Sequence, residues 1–263
     1  MRKPLTIIVA ALLICFSGKA QIVSIPDANF KEALIFNGVD ENNDGEIQEK
    51  EALKIDRLDI MLKSINSLDG IEAFKNLTAL NCSGNELKAL NVSKNTQLSF
   101  LDCSNNELEG ASLDLSKNLQ LIDLDCSSNQ LTDLDISKNT ELINLDCGSN
   151  QLTSLIVSNN QSMVKLNCFI NRITILDLSA LLSLEELKCD QNGITSLDLS
   201  HNDKLSKLEC GQNQFKELDI SNNTSLFYID CTKSPNLTRI YIAGSMTPGT
   251  QWWKDEKAAW VKK

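Results

Sequence analysis

Residues 142–160 read LINLDCGSNQLTSLIVSNN, and close variants of this stretch recur from residue 55 to residue 242. The recurring cysteines mark the period: they are 21 residues apart, except for one spacing of 23 residues between Cys103 and Cys126. Extra residues around Gly110 explain the longer spacing. A fixed period of this length is typical of stacked repeats, in which each unit forms one coil of a solenoid.

Each unit contains two short segments in which apolar and polar residues alternate. Such alternation predicts short strands whose apolar side chains face inward. The first series runs from Leu80 and Cys82 to Cys231, and the second runs from Leu90 to Ile220. We therefore predict a repeat solenoid made mainly of short parallel β-strands, two per 21-residue coil, in eight regular coils.

Asparagine forms two further columns, one of which begins at Asn85 and the other at Asn95. Both columns fall where the chain leaves a strand and its backbone groups lose their ladder partners. A buried carboxamide can donate two hydrogen bonds and accept others, so we favour a structural role over a ligand-binding row. Leu181 interrupts the second column, and we expect an altered turn there.

The complete unit has the pattern L-x-x-L-x-C-x-x-N-x-L-x-x-L-D-L-S-x-N, which resembles the leucine-rich repeat superfamily. It is most similar to the short, 21-residue repeats of secreted proteins common in Bacteroidetes, in which two repeat-like halves are nested in one coil. The resemblance covers residues 55–242 and implies a solenoid that takes part in protein interactions rather than in a reaction.

The repeat cysteines occupy the inward position that leucine takes in other leucine-rich repeats. Exported proteins often use cysteines in disulfides, and neighbouring coils bring two Cα atoms within disulfide range, at ~4.8 Å. Their parallel Cβ directions suit side-by-side packing better than a right-angled S–S torsion. We predict a buried ladder of reduced thiols, without metal, formed by Cys82, Cys103, Cys126, Cys147, Cys168, Cys189, Cys210 and Cys231.

Residues 1–20 have the composition of a signal peptide. Arg2 and Lys3 precede a short apolar stretch, and small residues at Gly18 and Ala20 favour cleavage before Gln21. A retained membrane anchor is the less favoured alternative, because the apolar stretch is too short to span a bilayer easily. We expect an exported protein without a transmembrane segment in its mature chain, located in the periplasm, on the cell surface or outside the cell.

Residues 21–54 are predicted to form a helical cap that contains an EF-hand-like loop. Residues 40–51 place oxygen-bearing side chains at the spacing of a calcium loop, with Gly45 at the sharp turn. A merely acidic turn is the alternative. We expect a structural calcium ion, with the ligands Asp40, Asn42, Asp44, Glu46, Gln48 and Glu51.

The repeat pattern ends after Ile242, and residues 243–263 are predicted to form a C-terminal cap. All three tryptophans lie in this segment, and Trp253 and Trp260 are seven residues apart, which indicates one face of a short helix over residues 252–260. A sugar-binding platform is the alternative use of these rings, but covering the last coil is the simpler one.

The chain carries 25 Lys and Arg residues against 35 Asp and Glu residues, a net charge of −10. A protein that binds nucleic acid without sequence preference needs basic side chains to replace phosphate counterions, so this balance argues against a nucleic-acid partner. It argues equally against docking on an anionic lipid surface.

The outward positions of the first strand series combine acidic residues with scattered aromatic residues. Such rows can form a broad binding surface, although exposed charge also keeps a solenoid soluble. The candidate surface comprises Phe100, Asp102, Asp125, Asp146, Phe169, Lys188, Glu209 and Tyr228.

No set of residues indicates catalysis. His201 is the only histidine and lies at a variable turn position, without partners for a triad or a metal site. We therefore expect an exported, non-enzymatic protein that binds an extracellular or envelope protein or glycan. The alternative is a calcium-stabilised structural component of the envelope with no specific ligand.

Overall fold

The protein is described by a computed structural model from residue 21 to residue 263, and the predicted signal peptide, residues 1–20, lies outside the described residues. The helices Ala28–Phe36 and Glu49–Ala52 flank the predicted calcium loop. The first helix begins where Asp27 accepts a hydrogen bond from the Phe30 amide at 2.9 Å. Phe30, Ala33 and Leu34 of this helix join the core of the solenoid. A short 3₁₀ helix, Ile71–Ala73, lies between the first and second coils.

Ten parallel strands form one continuous sheet along the solenoid. Each strand pairs in register with the strand of the next coil, so that Leu124 lies between Leu101 and Leu145. The predicted solenoid of short parallel strands is confirmed. The strands are Arg57–Asp59, Ala79–Asn81, Phe100–Asp102, Asp123–Asp125, Asn144–Asp146, Lys165–Asn167, Glu186–Lys188, Lys207–Glu209, Tyr228–Asp230 and Trp252–Trp253.

The core is one continuous cluster of inward leucine, isoleucine and cysteine side chains. All eight repeat cysteines are buried and free of disulfides. Burial raises the pKa of each thiol, for example that of Cys168 to about 12. A neutral, desolvated thiol packs as a small apolar side chain, so the cysteine column continues the leucine core.

The first asparagine column closes each coil after its ladder strand. The Nδ2 group of Asn106 donates to the carbonyl oxygens of Cys103 at 3.1 Å and of Cys82, one coil earlier, at 3.0 Å. Its Oδ1 accepts from the Leu87 amide at 3.1 Å. One side chain therefore satisfies backbone groups of two coils that the sheet leaves unpaired.

A left-handed residue precedes each of these asparagines. Two coils have residue types that adopt this conformation readily, Gly84 and Asn105, and most others have an unbranched serine or glutamine, whereas Ile170 has a φ of 48° there. A β-branched side chain is strained in this region by about 1–2 kcal/mol.

We expect Ile170→Asn to raise the free energy of unfolding by about 1 kcal/mol, because asparagine adopts the left-handed conformation more readily. The urea midpoint measures the change. Ile175→Asn is the control: Ile175 is 76% exposed and its φ is not positive, so its effect should stay within about 0.5 kcal/mol. An unchanged or lower stability of Ile170→Asn would contradict the strain.

The second predicted strand series is hydrogen-bonded as a sheet only in the last coils, as Glu217–Asp219, Arg239–Ile242 and Ala259–Lys262. Earlier coils show single bridges, such as that between Leu90 and Leu113. In several coils the aspartate after the inward leucine accepts a hydrogen bond from the serine amide two residues later, as Asp135 does from Ser137 at 2.9 Å. Asp219, whose strand is paired in the second sheet, accepts the same bond from Ser221 at 3.0 Å. A separate pair of two-residue strands, Glu109–Gly110 and Gln130–Leu131, lies near the longer coil.

The altered turn expected at Leu181 is wrong. The Leu181 amide donates to the Leu178 carbonyl at 2.9 Å, and the equivalent bond from Asn202 to Leu199 measures 3.1 Å. The backbone bond forms the turn by itself, while the asparagine side chain adds bonds to the preceding coil.

The predicted C-terminal helix is also wrong. Trp252–Trp253 extends the ten-stranded sheet, and Ala259–Lys262 extends the second sheet, so residues 251–263 form an additional, irregular coil. The rings of Trp252 and Trp260 pack with centroids 5.4 Å apart. The last regular coil has unpaired backbone groups and apolar surface at its open edge. A strand paired there forms the missing hydrogen bonds and covers the apolar surface.

Candidate functional site

The outward side of the ten-stranded sheet, here called the ladder face, carries two columns of side chains on either side of the inward leucines. The candidate residues of the sequence lie mainly in the second column, which contains Asn81, Asp102, Asp125, Asp146, Asn167, Lys188, Glu209 and Asp230. The first column contains Ala79, Phe100, Asp123, Asn144, Lys165, Glu186, Lys207 and Tyr228. Sequence reasoning missed most of the first column, although strand alternation places it on the same face.

Four carboxylates from three consecutive coils lie together on the ladder face: Asp102, Asp123, Asp125 and Asp146. We call them the acidic patch. Asp125 lies between Asp102 and Asp146 in the strand register. The other outward strand positions of these coils are Phe100 and Asn144, so the patch includes no basic residue. A shallow depression of about 350 Å³ covers most of this region and extends to Lys165 and Lys188.

Burial distinguishes the acidic patch from the carboxylates on the other side of the coil. Asp125 and Asp114 each accept a hydrogen bond at 2.9 Å from the backbone amide two residues later. That bond, from Ser116, lowers the pKa of the exposed Asp114. On the ladder face, desolvation raises the pKa of Asp125 and of Asp146, and a neighbouring carboxylate raises each further. The charges of Asp125 and Asp146 are therefore held in a partly dry environment.

The patch carboxylates are only partly satisfied by their neighbours. Oδ1 of Asp102 and Oδ1 of Asp125 each accept the amide and hydroxyl of a serine two residues later. Within residues 21–263 the Oδ2 atoms of both accept no further hydrogen bond. Asp146 accepts from Asn167 Nδ2 at 2.7 Å, and Asn144 donates to Asp123. Oxygen acceptors thus remain available to an external donor.

The other half of the ladder face is neutralised by ion pairs. Lys165 pairs with Glu186 at 2.8 Å, and Glu209 pairs with Lys188 at 3.5 Å and with Lys207 at 2.9 Å. Partly exposed pairs of this kind add little to stability. The predicted surface residue Glu209 therefore belongs to a charge-balanced region. Lys188, whose charge also lowers the pKa of Asp146, lies where this region meets the acidic patch.

The aromatic candidates are dispersed. Phe100 borders the acidic patch and is 40% exposed. Phe169 lies in the turn after its cysteine, where its ring leaves no room for a Cβ on Gly148. Tyr228 packs edge-on against Trp253, with ring centroids 5.3 Å apart, near the far end. Phe100 and Phe169 thus lie next to the acidic patch, since the Phe169 ring and the Asp146 carboxylate both border Gly148, whereas Tyr228 lies away from it.

The predicted calcium loop is well ordered by its own side chains. Asp40 accepts from the amides of Asp44 at 3.2 Å and Gly45 at 2.9 Å. Asn42 and Gln48 donate side-chain amide hydrogens to the Asp44 carboxylate at 3.0 Å. The predicted ligands are thus brought into one loop, and Glu46 contributes its carbonyl oxygen, which accepts from Gln48 at 3.2 Å.

Glu51 provides the test of whether this loop fits a cation. Its side chain is 1% exposed, and its Oε2 accepts from the Gln48 amide at 2.9 Å. Its Oε1 is buried and has no hydrogen-bond partner within the described residues. Across residues 21–263, no three His, Cys, Asp or Glu side chains are gathered that could hold a metal by themselves. A cation here would rely on amide and carbonyl oxygens as well, which suits calcium.

His201 is exposed and its ring contacts the Ser200 hydroxyl at 3.1 Å. The aspartates on the same side of the coil, such as Asp177 and Asp198, accept hydrogen bonds from serine amides in their own turns. Each of these carboxylates repeats one structural position of the coil.

The fold is that of leucine-rich repeat proteins. No protein-family model matches the sequence, and no curated protein matches it. Among solved structures, the chain is similar to the functional domain of InlJ from Listeria monocytogenes, which includes a cysteine ladder. The two are 30% identical with a TM-score of 0.69, and the match covers 94% of this chain and 62% of that chain. This chain thus spans less than two thirds of the InlJ structure.

Two more distant structures share the fold. Internalin C2 of Listeria monocytogenes is 21% identical, with a TM-score of 0.66 over 79% of this chain and 94% of that chain. The leucine-rich repeat ectodomain of the plant receptor kinase GASSHO1/SCHENGEN3 from Arabidopsis thaliana, in complex with CASPARIAN STRIP INTEGRITY FACTOR 2, is 19% identical. Its TM-score is 0.63 over 74% of this chain and 26% of that chain. Among the described residues, each helix is too short and too polar to cross a membrane.

Proposed function

We propose that this protein is an exported, non-enzymatic leucine-rich repeat module that binds a protein partner through the acidic patch of the ladder face. The observation that carries the proposal is the desolvated carboxylate column, in which Asp125 and Asp146 hold charge in a half-buried environment. A cationic group brought by a partner relieves the repulsion between these carboxylates and fills their open acceptor sites.

The partner proposed from this chemistry is a basic protein segment with an apolar side chain next to its Lys or Arg residues. The apolar side chain would contact Phe100 and the exposed Ile122 and Ile143, which border the patch along the strands. Arginine suits the site because its planar group bonds a carboxylate through two donors.

The similar structures support a binding role. One of them, the plant ectodomain, was solved with a named factor bound, and the InlJ domain shares the cysteine ladder. Export, a signal peptide at residues 1–20 and an origin among secreted Bacteroidetes-type proteins are parts of the proposal that rest on the sequence alone. So does the absence of enzymatic activity, for which the exposed position of the single histidine, His201, is the supporting observation.

We expect the double substitution Asp125→Asn and Asp146→Asn to weaken partner binding at least about tenfold, because each desolvated charge contributes more than 1 kcal/mol to a close ion pair. A displayed library of short random peptides, selected on the wild-type protein, provides the probe. Enriched peptides should be rich in Arg and Lys, and their binding should weaken as salt is raised or as pH is lowered through the raised carboxylate pKa values.

The matched control is Asp114→Asn and Asp135→Asn, which removes two carboxylates of the same turn type from the opposite side of the coil. This variant should bind the selected peptides as the wild type does. Equal loss in both variants would reject the acidic patch as the site. A glycan array probed with the same three proteins tests the alternative partner, and binding of glycans alone would replace the protein partner. If neither the peptide library nor the glycan array yields a ligand, the result would favour a calcium-stabilised structural component of the envelope.

A further inference from the structure

The loop of residues 40–51 lies at the opposite end from the last coil and takes no part in the ladder face. Its geometry is that of a cation-binding loop. Asp40 is 7% exposed, and its carboxylate is fixed by two loop amides, those of Asp44 and Gly45. Gly45 has a φ of 79°, a conformation that favours glycine and allows the sharp turn.

Oxygen-bearing side chains converge on Asp44. Asn42 Nδ2 and Gln48 Nε2 each approach its carboxylate at 3.0 Å, and Asn42 Nδ2 also contacts Gln48 Oε1 at 2.8 Å. Rotation of either amide group by half a turn presents its oxygen where its nitrogen now lies. The three side chains are therefore placed to surround a cation with carboxylate and amide oxygens.

Glu51 provides the second, independent observation. Its side chain folds back over the loop to the Gln48 amide, leaving Oε1 buried without a partner. An unpaired buried carboxylate oxygen is costly, and hydrogen bonds within the loop do not satisfy it. A hard cation beside Glu51, shared with the amide and carbonyl oxygens of the loop, would satisfy it.

A separate segment holds the loop from outside. Residues 21–23 pair antiparallel with residues 47–49, through hydrogen bonds from the Val23 amide to the Ile47 carbonyl and from the Glu49 amide to the Gln21 carbonyl, each 2.8 Å long. These bonds fix the backbone on both sides of Gln48. A loop that is already ordered loses less conformational entropy when it binds its ligand.

We propose that residues 40–51 bind one calcium ion and that the segment of residues 21–23 holds the loop in its binding conformation. The side-chain oxygens come from Asp40, Asn42, Asp44, Gln48 and Glu51, and Glu46 supplies its backbone carbonyl. The ion has a structural role: it joins the N-terminal helix Ala28–Phe36 to the helix Glu49–Ala52 at the start of the solenoid.

The test of the ion uses calorimetric titration and thermal melting of the full chain with CaCl₂, MgCl₂ or a chelator. We expect one calcium site per chain and a higher melting temperature in CaCl₂ than in chelator, because the ion binds the folded loop. MgCl₂ should bind more weakly, since magnesium requires a smaller and more rigid set of ligands. No heat and no shift in melting temperature with CaCl₂ would overturn the site.

The variant Glu51→Gln distinguishes stabilisation by bound calcium from the stability of the protein without calcium. In chelator this variant should melt at or above the wild-type temperature, because it removes a buried charge with an unpartnered oxygen. In CaCl₂ its melting temperature should not rise. Glu49→Gln removes a carboxylate two residues away in the same helix and should keep the calcium shift. A wild-type calcium shift in Glu51→Gln would overturn the assigned ligands.

Val23→Pro tests the segment, because proline removes the amide that bonds Ile47. Its calcium affinity should fall about tenfold or more. Ile22→Pro is the control, since the Ile22 amide makes no hydrogen bond within the described residues. Equal affinities in the two variants would overturn the role of the segment. Hydrogen exchange on the wild-type protein gives a measurement without substitution: CaCl₂ should slow exchange of the Val23 and Glu49 amides, and unchanged exchange would contradict the coupling.

Discussion

Asn213→Ala is expected to lower the free energy of unfolding by about 3–5 kcal/mol. Asn213 is fully buried, and its Oδ1 accepts from the Ile194 amide at 3.0 Å. Its Nδ2 donates to the Cys210 carbonyl, also at 3.0 Å. Neither backbone group has another hydrogen-bond partner within residues 21–263. The substitution leaves a buried donor and a buried acceptor unpaired, each at a cost of about 1–3 kcal/mol.

Two asparagines of the same coil serve as graded controls for Asn213→Ala in urea unfolding. Asn223 is equally buried, but the carbonyls of Leu199 and Asn202 that it contacts also accept backbone amides. Asn223→Ala should therefore cost only about 1–2 kcal/mol, as the natural Leu181 in that column indicates. Asn222 is exposed, and Asn222→Ala should change the free energy of unfolding by no more than about 0.5 kcal/mol. Equal effects of Asn213→Ala and Asn223→Ala would contradict the assignment of roles.

The protein is expected to unfold steeply as pH rises above about 8.5. Burial raises the pKa of every repeat thiol, to about 12 for Cys168 and Cys231. In the unfolded chain the thiols ionise near pH 8.5. The contribution of the buried neutral thiols to the free energy of unfolding is fully present below that pH. It is lost as pH rises toward the thiol pKa values of the folded protein, at about 1.4 kcal/mol per thiol per pH unit. Eight such thiols exceed the stability of an ordinary domain within about one pH unit.

Circular dichroism against pH measures this loss of structure, and thiol labelling checks its cause. At pH 7 the native protein should resist alkylation, whereas Ser158→Cys, at an exposed position, should label at once. In denaturant without reductant, residues 21–263 should release eight free thiols. Replacing Cys147 and Cys168 by Ala removes two of the eight thiols and should make the loss of stability above pH 8.5 about a quarter less steep. Fewer than eight free thiols after denaturation, or structure retained well above pH 10, would contradict a reduced and buried ladder.

Local patterns were enough to predict the repeated part of the molecule. The spacing of the cysteines gave the coil length, and the alternation at Leu124 and Asp125 gave the inward and outward positions. The same rules failed where the repeat ends. Residues 252–260 have helical spacing of tryptophans, yet they pair as strands because the preceding coil presents an open sheet edge.

The candidate sites were predictable to different degrees. The proposed calcium loop is a contiguous motif, so spacing alone predicts its six ligands, but the unpartnered oxygen of Glu51 and the pairing with residues 21–23 appear only after folding. On the ladder face the sequence named Asp102, Asp125 and Asp146 together with Lys188 and Glu209. It could not separate the desolvated patch from the ion-paired half, since that depends on contacts between coils.

The sequence by itself determined the coil, because the position of each inward Leu, Cys or Asn depends on the few residues around it. Tertiary structure alone decided which outward carboxylates are desolvated, which side of the coil becomes a continuous sheet, and how each end is covered. The physical reason is that desolvation and backbone pairing are properties of neighbouring coils, and those neighbours lie about one repeat away in the chain.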